Sequence, residues 1–399
     1  MKEPEKDNSC CKKGDAGLGD KAFKTLLPIQ NDVETGEACC GPPAGPASSP
    51  FEKPGYTLCS FVEGFIQTPA GSVPKVKDHL ERPDLVGTIR VRLGIGRNQY
   101  KITPGLYAVG SPKPETPVLV TANYKLSFDI LRKEISGMDA WLLVLDTRGV
   151  NVWCAAGKKT FSTDEVVRQV RRSGLEGIVK HKKLILPQLG ATGVSARQVK
   201  KQCGFEVIWG PVRAADIRSF INAGLKADRS MRRVSFNMWE RIVLIPVELS
   251  LLQKYLLWVL PLIFVISGVG MDIFSLSQAW HRGLMVIAAL ATGVFSGAVV
   301  VPLLLPWLPG RAFSLKGSIA GIILGTVVVG LFLGGLRILD AAALVLLSTT
   351  LSSYLAMNFT GATPFTSPSG VEKEMRVAIP GQAFAVLVSI VLWIGSAFA

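Results

Sequence analysis

Five apolar runs, near residues 253–271, 283–305, 317–336, 338–357 and 377–398, fill the C-terminal part of this chain. Each is about 19–23 residues long, enough for a helix rising 1.5 Å per residue to cross a hydrocarbon layer of roughly 30 Å. In lipid only structures that satisfy their own backbone hydrogen bonds can span, so these runs predict an all-α membrane domain over 241–399 with about five transmembrane helices. The break between the third and fourth runs, Arg337-Ile-Leu-Asp340, is short and reads either as a tight hairpin or as a mis-split. Gly317, Gly321 and Gly325 recur every four residues on one helix face, which favours close helix packing within the bundle.

Charge is distributed the opposite way. Most Lys, Arg, Asp and Glu lie before Tyr255, and the net charge is +14. In a soluble protein that balance would suggest nucleic acid. Here Arg229, Arg232, Arg233 and Arg241 sit just before the first span, where the positive-inside rule and anionic headgroups account for them, so the expected partner is the lipid membrane and no nucleic acid. The first 30 residues lack an apolar signal core. The expected placement is therefore a multi-pass protein of the cytoplasmic (inner) membrane with its N-terminal domain in the cytoplasm. Five spans then put Arg311, Lys316, Lys373 and Arg376 inside, against Arg282 and Arg337 outside. The loop Asn358 to Arg376 is either a connector or a flap over a site in the soluble domain.

Residues 1–55 are rich in Lys, Gly, Pro, Asp and Ser and predict a disordered tail. It holds two vicinal pairs, Cys10-Cys11 and Cys39-Cys40, which read either as a relay for a soft thiophilic metal ion or as incidental residues. In a reducing compartment all seven cysteines are expected to be thiols. Only His79, His181 and His281 are present, which argues against a multi-histidine metal site.

Residues 56–240 predict an α/β domain. Over 56–115, alternation such as Thr88-Ile-Arg-Val-Arg-Leu93 reads as short strands and turns. From Pro117 the pattern alternates. Strands are expected at 117–121, 141–145, 184–187 and 205–209, and helices at 126–135, 163–173, 195–202 and 214–223. Apolar strands alternating with helices predict a Rossmann-like parallel sheet covered on both faces, with ligands beyond the carboxyl ends of the strands. Thr121-Ala-Asn123, Thr147 to Cys154, Gln188 to Val194 and Gly210-Pro-Val-Arg213 occupy those ends.

Within them lies Asn151-Val-Trp-Cys-Ala-Ala-Gly-Lys158. If Cys154 falls on the first turn of a short helix after a strand, the helix dipole favours its thiolate, and Lys158 adds to that. A thiolate is a nucleophile, a redox group or a soft metal ligand, and a lone cysteine of this kind is more often a small core residue. Ala155, Ala156 and Gly157 are expected to leave one side sterically bare.

This run, continued by Thr160-Phe161 and Thr163-Asp-Glu165, resembles the cobalamin-binding domain of the corrinoid iron–sulphur protein large subunit. It is most similar to the membrane-anchored, mercury-methylating corrinoid proteins, whose signature is Asn-Val/Ile-Trp-Cys-Ala-Ala-Gly-Lys. Thr121-Ala-Asn-Tyr124, Leu186-Pro-Gln-Leu-Gly-Ala-Thr-Gly-Val194, Gly210-Pro-Val-Arg213 and the segments Met357 to Gly361 and Ser367 to Val371 extend the likeness. It covers roughly 56–399. Lys159 and Ser162 depart from it, standing where glycine is expected.

The resemblance implies a corrinoid (cobalamin) cofactor under which Asn151, Val152, Trp153, Cys154, Ala155, Ala156, Gly157 and Lys158 form a cap helix, with Cys154 the axial cobalt ligand and catalytic residue. Thr121, Asn123, Gly190, Ala191, Thr192, Gly193, Val194, Gly210 and Val212 would line the cofactor's edge. In the acetyl-CoA pathway relative, threonine typically stands at position 154. Hg(II) is an electrophile that needs methyl as a carbanion or radical equivalent, and a thiolate donating to cobalt supports that delivery where threonine would not. There is no Asp-x-His-x-x-Gly motif to supply a competing histidine.

The implied activity is methyl transfer from a methyl-folate-type donor, or its methyltransferase, through methylcobalt to Hg(II). The paired cysteines are candidate Hg(II) ligands, and a small iron–sulphur ferredoxin is implied as reductant. The alternative is a membrane-anchored methyl carrier of one-carbon metabolism. A transporter with a cytoplasmic regulatory domain is a third reading, carried only by the hydroxyl face Ser348, Thr349, Thr350, Ser352 and Ser353.

Overall fold

In the computed structural model, the structure describes residues 59–271, 273–332, 336–359 and 368–398. The tail 1–55, with Cys10, Cys11, Cys39 and Cys40, and much of the loop Asn358 to Arg376 lie outside the described residues. The chain divides into two compact units, one running to Val234 and the other comprising Arg92–Gly94 and Ser235–Ala399. Cys59 is disulfide-bonded, so the expectation of seven thiols fails at that position, while Cys154 and Cys203 are free.

The first unit is α/β around a seven-stranded sheet in the order β1-β2-β3-β5-β4-β6-β7. β1 (Val62–Thr68) and β2 (Gly71–Val76) form an antiparallel hairpin. β2 runs parallel to β3 (Gly105–Val109), which is antiparallel to β5 (Ala140–Leu145). From β5 through β4 (Val118–Ala122) and β6 (Lys183–Leu186) to β7 (Glu206–Trp209) the pairing is parallel. The sheet is thus mixed and parallel-rich rather than wholly parallel. β4 and β5 are buried at every residue, as strands covered on both faces must be.

One face packs against α2 (Lys125–Glu134) through Phe128 and Leu131, and against α7 (Ile217–Asn222) through Ile217 and Phe220. The other packs against α4 (Thr163–Arg172) and α6 (Ala196–Cys203) through Val166, Val170 and Val199. The chain passes from β4 to β5 on one side and then crosses to β6 on the other. That reversal makes a topological switch point at the carboxyl ends of β4 and β6, the place where open α/β sheets take their ligands.

The run Thr88 to Leu93, expected as a strand, lies largely in helix α1 (Arg82–Arg92). A tertiary contact overrides the alternation. Asp84 is buried and accepts from Lys125 Nζ at 2.6 Å and Arg132 Nη2 at 2.7 Å, which ties this segment to α2.

The second unit is helical. Among the described residues, four helices are long and apolar enough to cross a membrane: Leu276–Leu304, Phe313–Leu331, Ile338–Asn358 and Gly370–Gly395. A fifth span would be the pair Met238–Tyr255 and Leu257–Gly268, bent by 59°. The first of the four is α10 (Leu276–Phe295), which runs through a five-residue π-helical segment, Ser296–Val300, into α11 (Val301–Leu304). Arg241 Nη1 donates to the carbonyls of Pro302 and Leu303, and Lys316 Nζ to that of Leu305. These cations satisfy acceptors that a helix C-terminus leaves open.

In α12 (Phe313–Phe332), Gly317 and Gly321 face α13 (Ile338–Asn358) so closely that an added Cβ would lie 2.6 Å from the Ser352 carbonyl or 2.7 Å from Thr349 Cα. The glycine face therefore packs within the chain. The hydroxyls of α13 serve the same packing: Ser352 donates to the Gly317 carbonyl at 2.7 Å, and Ser353 to that of Ser314 at 2.9 Å.

Candidate functional site

Cys154 sits on α3 (Val152–Gly157), a six-residue helix held at both ends by local hydrogen bonds. Asn151 caps its start, its Oδ1 accepting from the Cys154 N–H at 2.9 Å. At its end the Thr160 N–H donates to the Ala155 carbonyl at 2.9 Å and the Lys159 N–H to that of Ala156 at 3.2 Å. This is a Schellman closure with Lys159 in the left-handed position at φ 59°. Glycine would take that position without strain, which gives a physical reason for the expectation of glycine there.

The helix buries Ala155 and Ala156 in the core and exposes Trp153, Cys154, Gly157 and Lys158. The alanines therefore do not leave a bare side, as expected from the sequence; they anchor the helix. The open ground is at Gly157, where an added Cβ would meet nothing within 4 Å. The thiol of Cys154 is presented outward on this face.

Asn123 holds the approach to α3. It is 2% exposed, and its Oδ1 accepts from the backbone N–H of Thr147 and of Gly149, both at 3.0 Å. Its Nδ2 donates to Asp146 Oδ1 at 3.2 Å. A single buried amide thus shapes the turn that delivers the chain from β5 to α3. Arg148, with φ 58°, and Gly149, with φ 75°, lie in that turn. Thr121 is buried in β4, just below.

The loop after β6 closes on the other end of α3. Gly193 lies so close that an added Cβ would overlap the Phe161 carbonyl and come within 3.0 Å of Ala156 Cα. Gly190 rests against the Phe161 ring in the same way, at 2.5 Å. Ala191 is half-buried, Thr192 exposed and Val194 buried. Beyond, Ser195 N–H donates to the Thr163 hydroxyl at 2.9 Å, which ties the starts of α4 and α6. Gly210 N–H donates to the Leu186 carbonyl at 2.8 Å, and Val212 N–H to that of Met231.

The structure therefore brings Asn123, the 151–158 run and the 190–194 loop into one packed assembly. Gly210 and Val212 flank it beyond β7. The room that glycine leaves at 190 and 193 is taken up by protein.

Sequence reasoning missed two features. Glu165, expected only as part of the continuing run, accepts from the Asp146 N–H at 2.8 Å and from Gln169 Nε2 at 2.9 Å, bracing the same turn from α4. The second is a buried ionic tetrad of Asp84, Lys125, Asp129 and Arg132. Lys125 also meets Asp129 at 2.6 Å, Arg132 Nε meets Asp129 at 2.9 Å, and Arg132 Nη1 caps the carbonyls of Lys77 and His79. Burial disfavours charge throughout this group and pushes the Asp129 carboxyl up. At Asp84 and Lys125 burial is the largest single influence, but the partners together outweigh it. For the first these are the hydrogen bond and charge of Lys125 with the Glu81 N–H and Arg132 bonds, and for the second the charge and hydrogen bond of Asp129 with the Asp84 bond. Asp84 is held below, and Lys125 above, its ordinary range. The signal in the sequence was the 4- and 3-residue spacing of Lys125, Asp129 and Arg132 on one face of α2, with no visible sign of Asp84 as the fourth member.

Residues 89–221, covering the strands and loops that build this assembly, match a family model described as CO dehydrogenase/acetyl-CoA synthase delta subunit. The acetyl-CoA decarbonylase/synthase complex subunit gamma of Archaeoglobus fulgidus is 29% identical over 139 residues, which are 34% of this chain and 29% of that protein. The corresponding subunit of Methanosarcina acetivorans is 34% identical over 99 residues, 24% of this chain and 21% of its own length. The corrinoid/iron-sulfur protein large subunit of Moorella thermoacetica is 29% identical over 127 residues, 31% of this chain and 28% of that subunit. The chain thus spans under a third of the length of these relatives. What it is similar to is one segment of corrinoid and acetyl-CoA decarbonylase/synthase proteins, and the span matched by the family model takes in Cys154 and the loops around it.

Proposed function

We propose that the α/β unit binds a corrinoid against the exposed face of α3 and carries a methyl group for one-carbon metabolism, with the apolar helices anchoring it in a membrane. The observation that carries this reading is the exposed face of α3, a helix locked at both ends at the carboxyl edge of the parallel strands. The residues present fit the group. A soft sulfur donor stands beside open ground at Gly157, as a flat macrocycle over a metal ligand requires. When bound, a corrinoid supplies a cobalt centre that takes up and gives up a methyl group.

The chain's own residues do the rest. Cys154 would offer its thiolate to the metal, and Asn151 fixes the backbone that positions it. Ala155 and Ala156 root the helix in the core so that the sulfur cannot swing away. Asn123 and Glu165 hold the turn before it, and Gly193 lets the 190–194 loop clamp its far end. The relatives' names place them with iron–sulphur and acetyl-CoA decarbonylase/synthase components. A ferredoxin-type reductant and a methyl-folate donor, or its methyltransferase, are the partners this reading requires.

A second reading rests on Cys154 itself. With Cys154 as a thiolate donor, the group would supply methyl of more carbanion-like character, suited to a soft electrophile, so inorganic Hg(II) is the acceptor to test beside carbon acceptors. The test is the absorption spectrum of the cobalamin-loaded chain beside its Cys154→Ala and Cys154→Thr variants, followed by methyl transfer to Hg(II). A cysteine-dependent spectrum with cysteine-dependent methylmercury formation supports the second reading. Binding with spectra indifferent to Cys154 leaves the carrier reading alone, and no corrinoid binding at all sinks both.

A further inference from the structure

Helix α1 (Arg82–Arg92) is arranged the wrong way round for a helix on a water-soluble domain. Its buried residues are Asp84 and Val91, and the carboxylate is neutralised by Lys125 and Arg132. Its outward residues are apolar: Leu85, Val86 and Ile89, followed by Leu93 and Ile95, are each 45–58% exposed. At about 100° per residue, Leu85, Val86, Ile89 and Leu93 fall within one arc of roughly 100°. Arg90 and Arg92 flank that arc and Arg82 lies within it; Arg97 follows just beyond. Between Arg82 and Gln99 the only acidic residue is the buried Asp84. A stripe of branched apolar side chains edged by arginines has the chemistry of a helix lying in the plane of a membrane. The apolar groups enter the acyl boundary and the guanidinium groups rise to anionic headgroups.

We propose that α1 is an in-plane membrane anchor of the α/β unit, its Leu85–Ile89 face seated in the lipid–water interface and its arginines on anionic phospholipid headgroups. Asp84, through its bonds to Lys125 and Arg132, would then couple that anchor to α2. The proposal rests on the reading that the apolar helices lie in a membrane.

The test uses the full chain in nanodiscs of phosphatidylcholine, with or without phosphatidylglycerol. A photoreactive p-benzoylphenylalanine replaces Ile89, Val391 or Ile130 in turn. Val391, exposed on the last apolar helix, reports the membrane reading, and Ile130, exposed on α2, is the control outside the apolar arc. Lipid adducts at 89 and 391 but not at 130 are expected. The yield at 89 should rise severalfold with phosphatidylglycerol, and an Arg90→Gln/Arg92→Gln/Arg97→Gln chain should lose that dependence. Adducts at 391 with none at 89, or adducts from 89 to the chain's own N-terminal segment or to a second copy, overturn the anchor and leave the membrane reading standing. Equal labelling at 89 and 130 also overturns it, and no lipid labelling at 391 brings down both readings.

Discussion

Replacing Asn123 with alanine probes whether one buried amide organises the site. Its Oδ1 takes the N–H groups of Thr147 and Gly149, and no water reaches a residue that is 2% exposed. The Thr147 hydroxyl also contacts Asn123 Oδ1 but has the Val150 carbonyl at 2.6 Å as its other partner, so it loses little. Two backbone donors are therefore orphaned. At roughly 1–3 kcal/mol for each buried unsatisfied group, less what water regains by entering the small void, the cost is about 2–4 kcal/mol. For a unit of this size, about 2–4 °C of melting temperature per kcal/mol gives a fall of roughly 4–16 °C, readable by calorimetry on the full chain. Because the orphaned groups lie in the turn entering α3, corrinoid affinity should fall together with stability. Asn123→Asp keeps the acceptor but sets a buried carboxylate against that of Asp146 in place of the donor, so it should not restore wild-type stability. If Asn123→Ala melts within a degree of wild type, the amide does not carry the turn and the argument fails.

Lys159→Gly should stabilise the α/β unit. A non-glycine residue in the left-handed position costs about 1–2 kcal/mol, and the extra freedom of unfolded glycine returns part of that, so a net gain of about 0.5–1 kcal/mol is expected by denaturant titration. A loss of stability would mean that the lysine side chain contributes more than its backbone costs. The unit should also lose stability in acid. The Ser136 hydroxyl and Gly137 N–H bonds hold Asp78 below its ordinary range. Asp84 is likewise low: burial is the largest influence and would raise it, but the Lys125 bond and charge together with the Glu81 N–H and Arg132 bonds outweigh it. A carboxyl depressed on folding contributes stability above its unfolded value, near 4, and loses it as pH falls through the lower folded value. Asp129, raised by burial, runs the other way and offsets part of the loss. Unfolding midpoints should therefore fall below about pH 4, and Asp78→Asn should flatten that fall; an unchanged slope in the variant would refute the assignment.

Much of this architecture was legible in the chain because its signals are local. A helix that must bury its own backbone in lipid has to be long and apolar, so four of the five expected runs appear as helices of spanning length. The fifth is split by a 59° bend that hydropathy does not register. The alternation of β4, α2, β5, α4, β6, α6 and β7 came through within a residue or two, since strands covered on both faces need uninterrupted apolar side chains. Cys154 does fall on the first turn of a short helix, the placement the sequence allowed, with Asn151 capping that turn.

Other features required the fold. Alternation at 88–93 satisfies a strand as well as a helix, and only Lys125 and Arg132, more than 40 residues away, decide that Asp84 goes inside and the apolar face outside. Ala155 and Ala156 look like clearance for a ligand when read in sequence, and Gly193 like a flexible loop. Packing shows the alanines to be the root of α3 and the glycine the point where the 190–194 loop presses on it. The antiparallel β3 has the same apolar pattern as its parallel neighbours, because side-chain burial is indifferent to strand direction. Sequence alone determined which segments are apolar, helical or capped, for those depend on neighbours within a few residues. Tertiary structure alone decided which side chains meet across the sheet, because those contacts join residues that the chain keeps far apart.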